Sequence, residues 1–176
     1  MPSGRTHETI NLVALGVLAG GYAYARSQGL EAQIDAVIPG SGRLALVISY
    51  LIGTFLVTPD LDLAENNVRA KSNWGLLGLL WVPYGALFKH RGLSHSWILG
   101  PATRLVYMTV LTFAFAWLAA AAAPYLGYHF SIEAPLGSWR ELAFGALSGY
   151  YLSQWLHLAA DGMFPGGGRL RRKRRR

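Results

Sequence analysis

Four sets of side chains able to bind a metal are scattered along this 176-residue chain: His7; Asp60 with Asp62; His90 with His95; and His157 with Asp161. They hold four of its five histidines, and the chain has no cysteine, so disulfide frameworks and thiolate zinc fingers are excluded. Any metal would therefore take nitrogen and oxygen ligands. His157 and Asp161 stand four apart, on one face of a helix, and Tyr150 and Gln154 carry the same polar stripe backward. In an apolar helix such a stripe faces a bundle interior or a wet cavity. The carboxylate either binds metal beside His157 or orients its ring; the plainer reading is a polar pair that ends a helix before the turn at Gly162.

Thr58-Pro59-Asp60-Leu61-Asp62 puts two carboxylates at a rigid helix exit. In an extended turn, residues i and i+2 project to one side and can clamp a hard cation; otherwise they are capping acids of a following helix. Lys89-His90-Arg91-Gly92-Leu93-Ser94-His95-Ser96 is the densest polar run. Its histidines are five apart, about 140° around a helix, so they need a loop to converge. Gly92 permits the turn, Ser94 is placed to cap the next helix, and Lys89 and Arg91 suit an anionic phosphate. The plain alternative is a basic interfacial loop with solvated histidines. His7 alone reads as a surface residue. Ser94-His95-Ser96 is no catalytic triad, because adjacent residues do not present nucleophile and base to each other.

The elements that must position these groups are apolar. The chain is 52% hydrophobic and 14% charged, against roughly 25% charged in an average soluble domain, and its mean hydropathy is +0.27. Ile10–Ala25 is a first apolar run, with Thr6 as N-cap and Glu8 in the first turn; Arg5 and Ala23-Tyr24-Ala25 also fit a signal-peptide layout, but the run is read as a retained helix. Gln28–Arg43 reads as a connection, and Leu44–Val57 as a short apolar helix ended by Pro59. After a polar stretch over residues 63–73, Trp74–Phe88 is uncharged, aromatic and broken by Pro83, as an interfacial or re-entrant segment would be. Leu105–Leu126 is the clearest membrane span, and Leu142–Ala160 is the fourth helix. The expected architecture is all-α: a small polytopic membrane bundle of about four spanning or partly spanning helices with one interfacial segment. Residues 1–165 form the helical domain and residues 166–176 a basic, disordered tail.

Crossing those helices in turn returns all four sets, His7 included, to one face, with His129 on the other. Thirteen of the sixteen Lys and Arg residues share that face, leaving Arg26, Arg43 and Arg140 opposite, so the positive-inside rule makes it cytoplasmic. The tail, Arg169 to Arg176, carries seven positive charges. Beside a membrane helix it suits anionic lipid headgroups better than nucleic acid.

Met1-Pro2-Ser3-Gly4-Arg5-Thr6-His7, Pro59-Asp60-Leu61-Asp62, His90-Arg91-Gly92-Leu93-Ser94-His95-Ser96 and His157 with Asp161 together resemble the uncharacterised bacterial metal-binding membrane proteins. These are relatives of the LexA-regulated inner-membrane family of predicted metal-dependent hydrolases. The resemblance spans about residues 1–161. It implies a small helical membrane protein with phospholipase-like hydrolysis, and carries over His7, Asp60, Asp62, His90, His95, His157 and Asp161 as metal ligands. Many hydrolase relatives have a histidine directly after the Asp-x-Asp pair, where this chain has Leu63.

The expectation is a membrane-embedded metal-dependent hydrolase acting on a phosphoester, with a phospholipid as one candidate, at the cytoplasmic face of a bacterial inner membrane. Zinc is the first choice of metal, with manganese or iron as alternatives. Seven candidate ligands exceed the three or four of one catalytic zinc, so one or two ions fit. Asp62 or Asp161, where not a ligand, would serve as general base, and Lys89 and Arg91 would neutralise phosphoryl charge. The alternatives are a structural metal site, a transporter, which the clustering of ionisable groups at one end disfavours, and a soluble helical enzyme.

Overall fold

Apolar runs joined by capped polar turns dictate helices, and a computed structural model of the chain, which describes residues 3–63, 68–88, 93–128 and 139–165, shows only helical elements and their connections there, apart from a single bridge residue at Met163. The helices are α1 (Gly4–Ser27), α2 (Glu31–Val37), α3 (Gly40–Phe55), α4 (Arg69–Ser72), α5 (Val82–Leu87), α6 (Leu99–Ala122) and α7 (Trp139–Ala160). Short 3-10 turns cover Pro59–Asp62, Gly75–Trp81, Leu93–His95 and Ala123–Leu126.

Several boundaries depart from the sequence expectation, each for a local reason. Ser3, rather than Thr6, caps α1 by accepting from the Thr6 N–H at 3.3 Å, so His7 lies inside the helix and Glu8 beyond its first turn. The expected connection over Gln28–Arg43 contains α2 and the first turn of α3, which Pro39 opens at its N-cap. Pro59 starts a 3-10 turn at its first position instead of standing in an extended one. Pro83 likewise sits in the first turn of α5, where its missing N–H costs nothing. Ahead of α6 the Ser96 hydroxyl accepts from the Gly100 N–H at 2.8 Å, while the Ser94 side chain, expected to cap this helix, lies outside what the structure describes. Lys89, His90, Arg91, His129 and the tail lie outside the described residues.

The centre of the fold is the α3–α7 pair, with α1 packed across it. Gly145 and Gly149, spaced as G-x-x-x-G, let the two backbones touch. A Cβ at Gly145 would lie 2.0 Å from the Gly42 carbonyl oxygen, and one at Gly149 would lie 2.0 Å from that of Leu46. Such contacts are how membrane helices gain packing where burial of apolar surface gives little. Polar side chains stitch the three helices together. Asn11 donates to Thr54 Oγ1 at 3.1 Å and to the Ser153 carbonyl at 3.2 Å, Tyr50 donates to the Asn11 carbonyl at 2.7 Å, and Gln154 donates to the Gly53 carbonyl at 3.1 Å.

The Gly75–Trp81 turn and α5 fold back beside this core and build an aromatic cluster of Trp81, Tyr84 and Tyr107. Of the helices described, α6 continued through Leu126 is long and apolar enough to cross a membrane, and α2 with α3, bent by 66°, passes the same test as a pair. None of the α6 window is buried within the chain.

Candidate metal centre

All the side chains considered below meet at one end of the bundle. His7 reaches in from the first turns of α1, Asp60 and Asp62 come from the turn after α3, His95 from the turn before α6, and His157 and Asp161 from the end of α7. Six of the seven predicted ligands therefore converge from four separate elements, His90 lying outside the described residues, and Tyr150, Gln154 and His157 of the polar stripe on α7 are all buried.

The His7 and His157 rings stack, with centroids 3.8 Å apart and planes within 11°. His7 Nε2 lies 3.3 Å from Asp161 Oδ1, His157 Nε2 lies 3.7 Å from Asp161 Oδ2, and His157 Nε2 lies 3.6 Å from Asp60 Oδ2. These separations exceed the N–H···O range of about 2.7–3.2 Å. They match the edge of a tetrahedron with ligand bonds of about 2.1 Å, which is roughly 3.4 Å. His157 Nε2 and both oxygens of Asp161 are buried with no hydrogen-bond partner. Buried polar atoms left so are rare and costly, about 1–3 kcal/mol each, unless something unseen completes them. The donor atoms fall into two groups: His7, His157 and Asp161, and Asp60, His95 and Asp161. Within each group they all lie within 4.8 Å of one another. Asp161 belongs to both, so its carboxylate is placed to bridge two positions. Nitrogen and oxygen donors in threes fit a divalent ion of the zinc, manganese or iron type.

Asp62 departs from the sequence expectation. A 3-10 turn advances about 120° per residue, so positions i and i+2 diverge instead of projecting together. Asp60 turns toward His157, while Asp62 points away and meets His95 Nδ1 at 3.2 Å, both side chains fully buried. Asp62 stands outside both donor groups. A carboxylate on one imidazole nitrogen fixes the ring and directs its other nitrogen to a metal.

Electrostatics support an ionised set of carboxylates. Burial pushes the Asp60 carboxyl up, but His157, with His7 and His95 behind it, outweighs this and holds it below its ordinary value. Asp161 follows the same pattern, with burial opposed by His7 and His157.

Three neighbours carried no sequence signal for this site. Lys71 is buried and donates from Nζ to the Leu63 carbonyl at 2.5 Å; burial lowers its pKa, and Asp62 pulls the other way. Arg69 Nε donates to both carboxylate oxygens of Glu8, at 2.7 and 2.8 Å, and Asn73 ties the same corner to the Phe55 carbonyl at 2.8 Å. Arg69, Glu8 and Asn73, but not Lys71, line a narrow crevice together with His7, Asp60 and His157. Asn11, one turn after His7, was readable only as a polar residue in an apolar run.

The chain belongs to the family described as "Uncharacterized metal-binding protein (DUF2227)", whose model matches residues 2–171. An uncharacterized protein of Aquifex aeolicus (strain VF5) is 36% identical over 72 residues, which are 41% of this chain and 50% of that protein. The chain thus spans about half the length of that curated relative. No solved structure matches the chain.

Proposed function

We propose that this chain is an integral membrane protein whose metal centre hydrolyses a phosphoester, a phospholipid in particular, at the cytoplasmic face of a bacterial inner membrane. The observation that carries this reading is the pair of three-donor groups sharing Asp161, with buried donor atoms that lack protein partners. Three protein ligands per ion is the pattern of catalytic zinc, which keeps a position open. When bound, an ion at such a site supplies Lewis acidity to a phosphoryl oxygen and lowers the pKa of water.

The residues divide the remaining work. His7, His157 and Asp161 hold one position, and Asp60 and His95 with Asp161 hold the other. Asp62 positions His95 rather than serving as general base. Both oxygens of Asp161 face imidazoles, which suits it to ligation. Asp60 has the most exposed carboxylate of the three, its side chain 21% exposed against 1% for Asp161, so it is the one an incoming substrate meets. Lys89 and Arg91 keep their proposed role as partners of the phosphoryl oxygens.

Membrane embedding is supported by the exposed apolar length of α6 and by the close α3–α7 packing. The kinship with LexA-regulated inner-membrane hydrolases and the inward-facing charge bias belong to the same reading. The test is hydrolysis of a generic phosphodiester and of phosphatidylglycerol in vesicles by metal-loaded protein, beside Asp161→Asn. Turnover lost in the variant and on chelation supports it; metal-loaded protein inert toward both substrates contradicts it.

A structural metal is the second reading, and one observation favours it. The crevice over His7, Asp60 and His157 holds only about 10 Å³, barely one water, and the Arg69–Glu8 pair stands at its rim. A centre that binds metal tightly yet exchanges no water with solvent would decide for it.

A further inference from the structure

We infer that Arg69 and Thr58 form an oxyanion site for the phosphoryl group of a ligand at the metal crevice, and that Glu8 holds Arg69 until such a group displaces it. This site rests on the metal-centre reading above and names residues, none of them metal ligands, that recognise what the centre receives.

His7, Asp60 and His157 of the metal centre line the crevice together with Thr58, Arg69 and Glu8. Thr58 is buried, and its Oγ1 has no hydrogen-bond partner. Thr54, one turn earlier on the same wall, is satisfied: its hydroxyl donates to the Tyr50 carbonyl at 2.8 Å. Buried hydroxyls ordinarily find a partner. The Thr58 hydroxyl therefore stands in a polar crevice as a donor open to a ligand's oxygen.

Arg69 supplies the charge. Its side chain is 42% exposed, and Nε is the nitrogen that is engaged, donating to both oxygens of Glu8 at 2.7 and 2.8 Å. The terminal nitrogens of the guanidinium meet no acceptor among the described residues. That planar edge matches the oxygens of a carboxylate or of a phosphoryl group. A carboxylate would spend both its oxygens on the guanidinium. A phosphoryl group has a further oxygen for the Thr58 hydroxyl, so the pair of donors selects the phosphoryl group.

Glu8 makes the site conditional. It follows His7 directly in α1, and the crevice holds about 10 Å³, close to a single water. A phosphoryl group enters only when Arg69 leaves Glu8. An exposed ion pair is weakly held, and Glu8 keeps the Asn73 amide as a donor at 3.4 Å after the exchange. One anion thus replaces another on the same guanidinium. A purely structural ion pair behaves differently: removal of either partner then has the same effect, whereas here Arg69 attracts the ligand and Glu8 competes with it.

The test titrates inorganic phosphate into full-length protein in detergent, loaded with manganese and freed of unbound ion. Calorimetry reads affinity, and broadening of the phosphorus NMR signal reads proximity to the metal. Arg69→Ala should weaken phosphate binding by about 10–100-fold, and Thr58→Val by several-fold, both with wild-type metal content. Glu8→Gln should tighten it several-fold. Should Arg69→Ala lose its metal, Glu8→Gln and Arg69→Lys decide, and Arg69→Lys, which keeps the charge without the planar edge, should bind phosphate more weakly than wild type. Phosphatidic acid in mixed micelles and soluble glycerol phosphate then compete with inorganic phosphate. Displacement by the lipid alone assigns the site to a headgroup, and displacement by the soluble ester assigns it to a free phosphoester; both support it, and displacement by neither overturns it. Equal weakening in Arg69→Ala and Glu8→Gln, or no change in either, would also overturn it. Wild type that binds no metal would overturn the metal-centre reading and this site together; metal-loaded protein that binds phosphate independently of Arg69 and Thr58 would overturn this site alone.

Discussion

The two ends of this bundle follow opposite rules. At the metal end α1 buries His7 and Asn11, and α6 buries Arg104, whose guanidinium donates to Gln154 Oε1 at 2.6 Å. At the far end the same two helices expose Val17, Tyr24, Phe113 and Trp117, each about 70% accessible. On these two helices the large buried side chains are polar and the large exposed ones apolar. Among the described residues the far-end ion pairs are exposed ones, Arg26 with Glu31 and Arg43 with Asp35, and surface pairs of that kind contribute little. The contrast teaches that α1 and α6 are ordered less by apolar burial than by the polar groups at one end. Close backbone packing of α3 on α7 and the polar cluster at one end fix them, and their far ends present apolar side chains outward.

The sharpest way to break the comparison is to separate the central pair. Gly149→Val places a Cβ against the Leu46 carbonyl, and the expected cost is about 3 kcal/mol or more. It should appear as loss of monodisperse protein and of metal together. A variant as stable as wild type by thermal unfolding in detergent would show that the helices are not held by that contact.

The second expected effect is confined to the metal end. Asp161→Asn removes the carboxylate common to both donor groups, so elemental analysis should find neither position filled while helicity is kept. Retention of the full wild-type content would rule out a bridging Asp161.

A smaller change should follow Asp62→Asn. Loss of the carboxylate behind His95 should weaken metal affinity by about 10–100-fold, as removal of an outer partner does, with stoichiometry unchanged at saturating metal. Competition against a chelator reads this directly. Complete loss of one ion would instead make Asp62 a ligand.

Much of this contrast was legible in the chain. The apolar runs located α1, α3, α6 and α7, because a run of that length leaves the backbone few ways to satisfy its own hydrogen bonds. The i, i+4 spacing of His157 and Asp161 placed them on one inward face. Other features depended on geometry that spacing does not encode. Asp60 and Asp62 part company only because their turn is 3-10 rather than extended. His7 was unremarkable as a lone residue, and its stack on His157 follows from a capping hydroxyl at Ser3 that starts α1 early enough to carry it inward. The helix over Glu31–Val37 is too short for its pattern to stand out from a connection.

The smallest effect is expected at the far end. Arg43→Ala breaks the exposed pair with Asp35, and neither unfolding temperature nor metal content should move measurably. A clear loss of either would mean that the far end has a structural role comparable with that of the metal end.

The most direct test of the central claim, that side chains distant in the chain form one metal centre, is elemental analysis of purified full-length protein beside His7→Ala and His157→Ala. Wild type should hold about one or two divalent ions, and each variant should lose at least one, His7→Ala as surely as His157→Ala because the two rings face the same carboxylate. Wild type that binds no metal even after addition of zinc or manganese, or a His7→Ala variant with the full complement, would contradict the account.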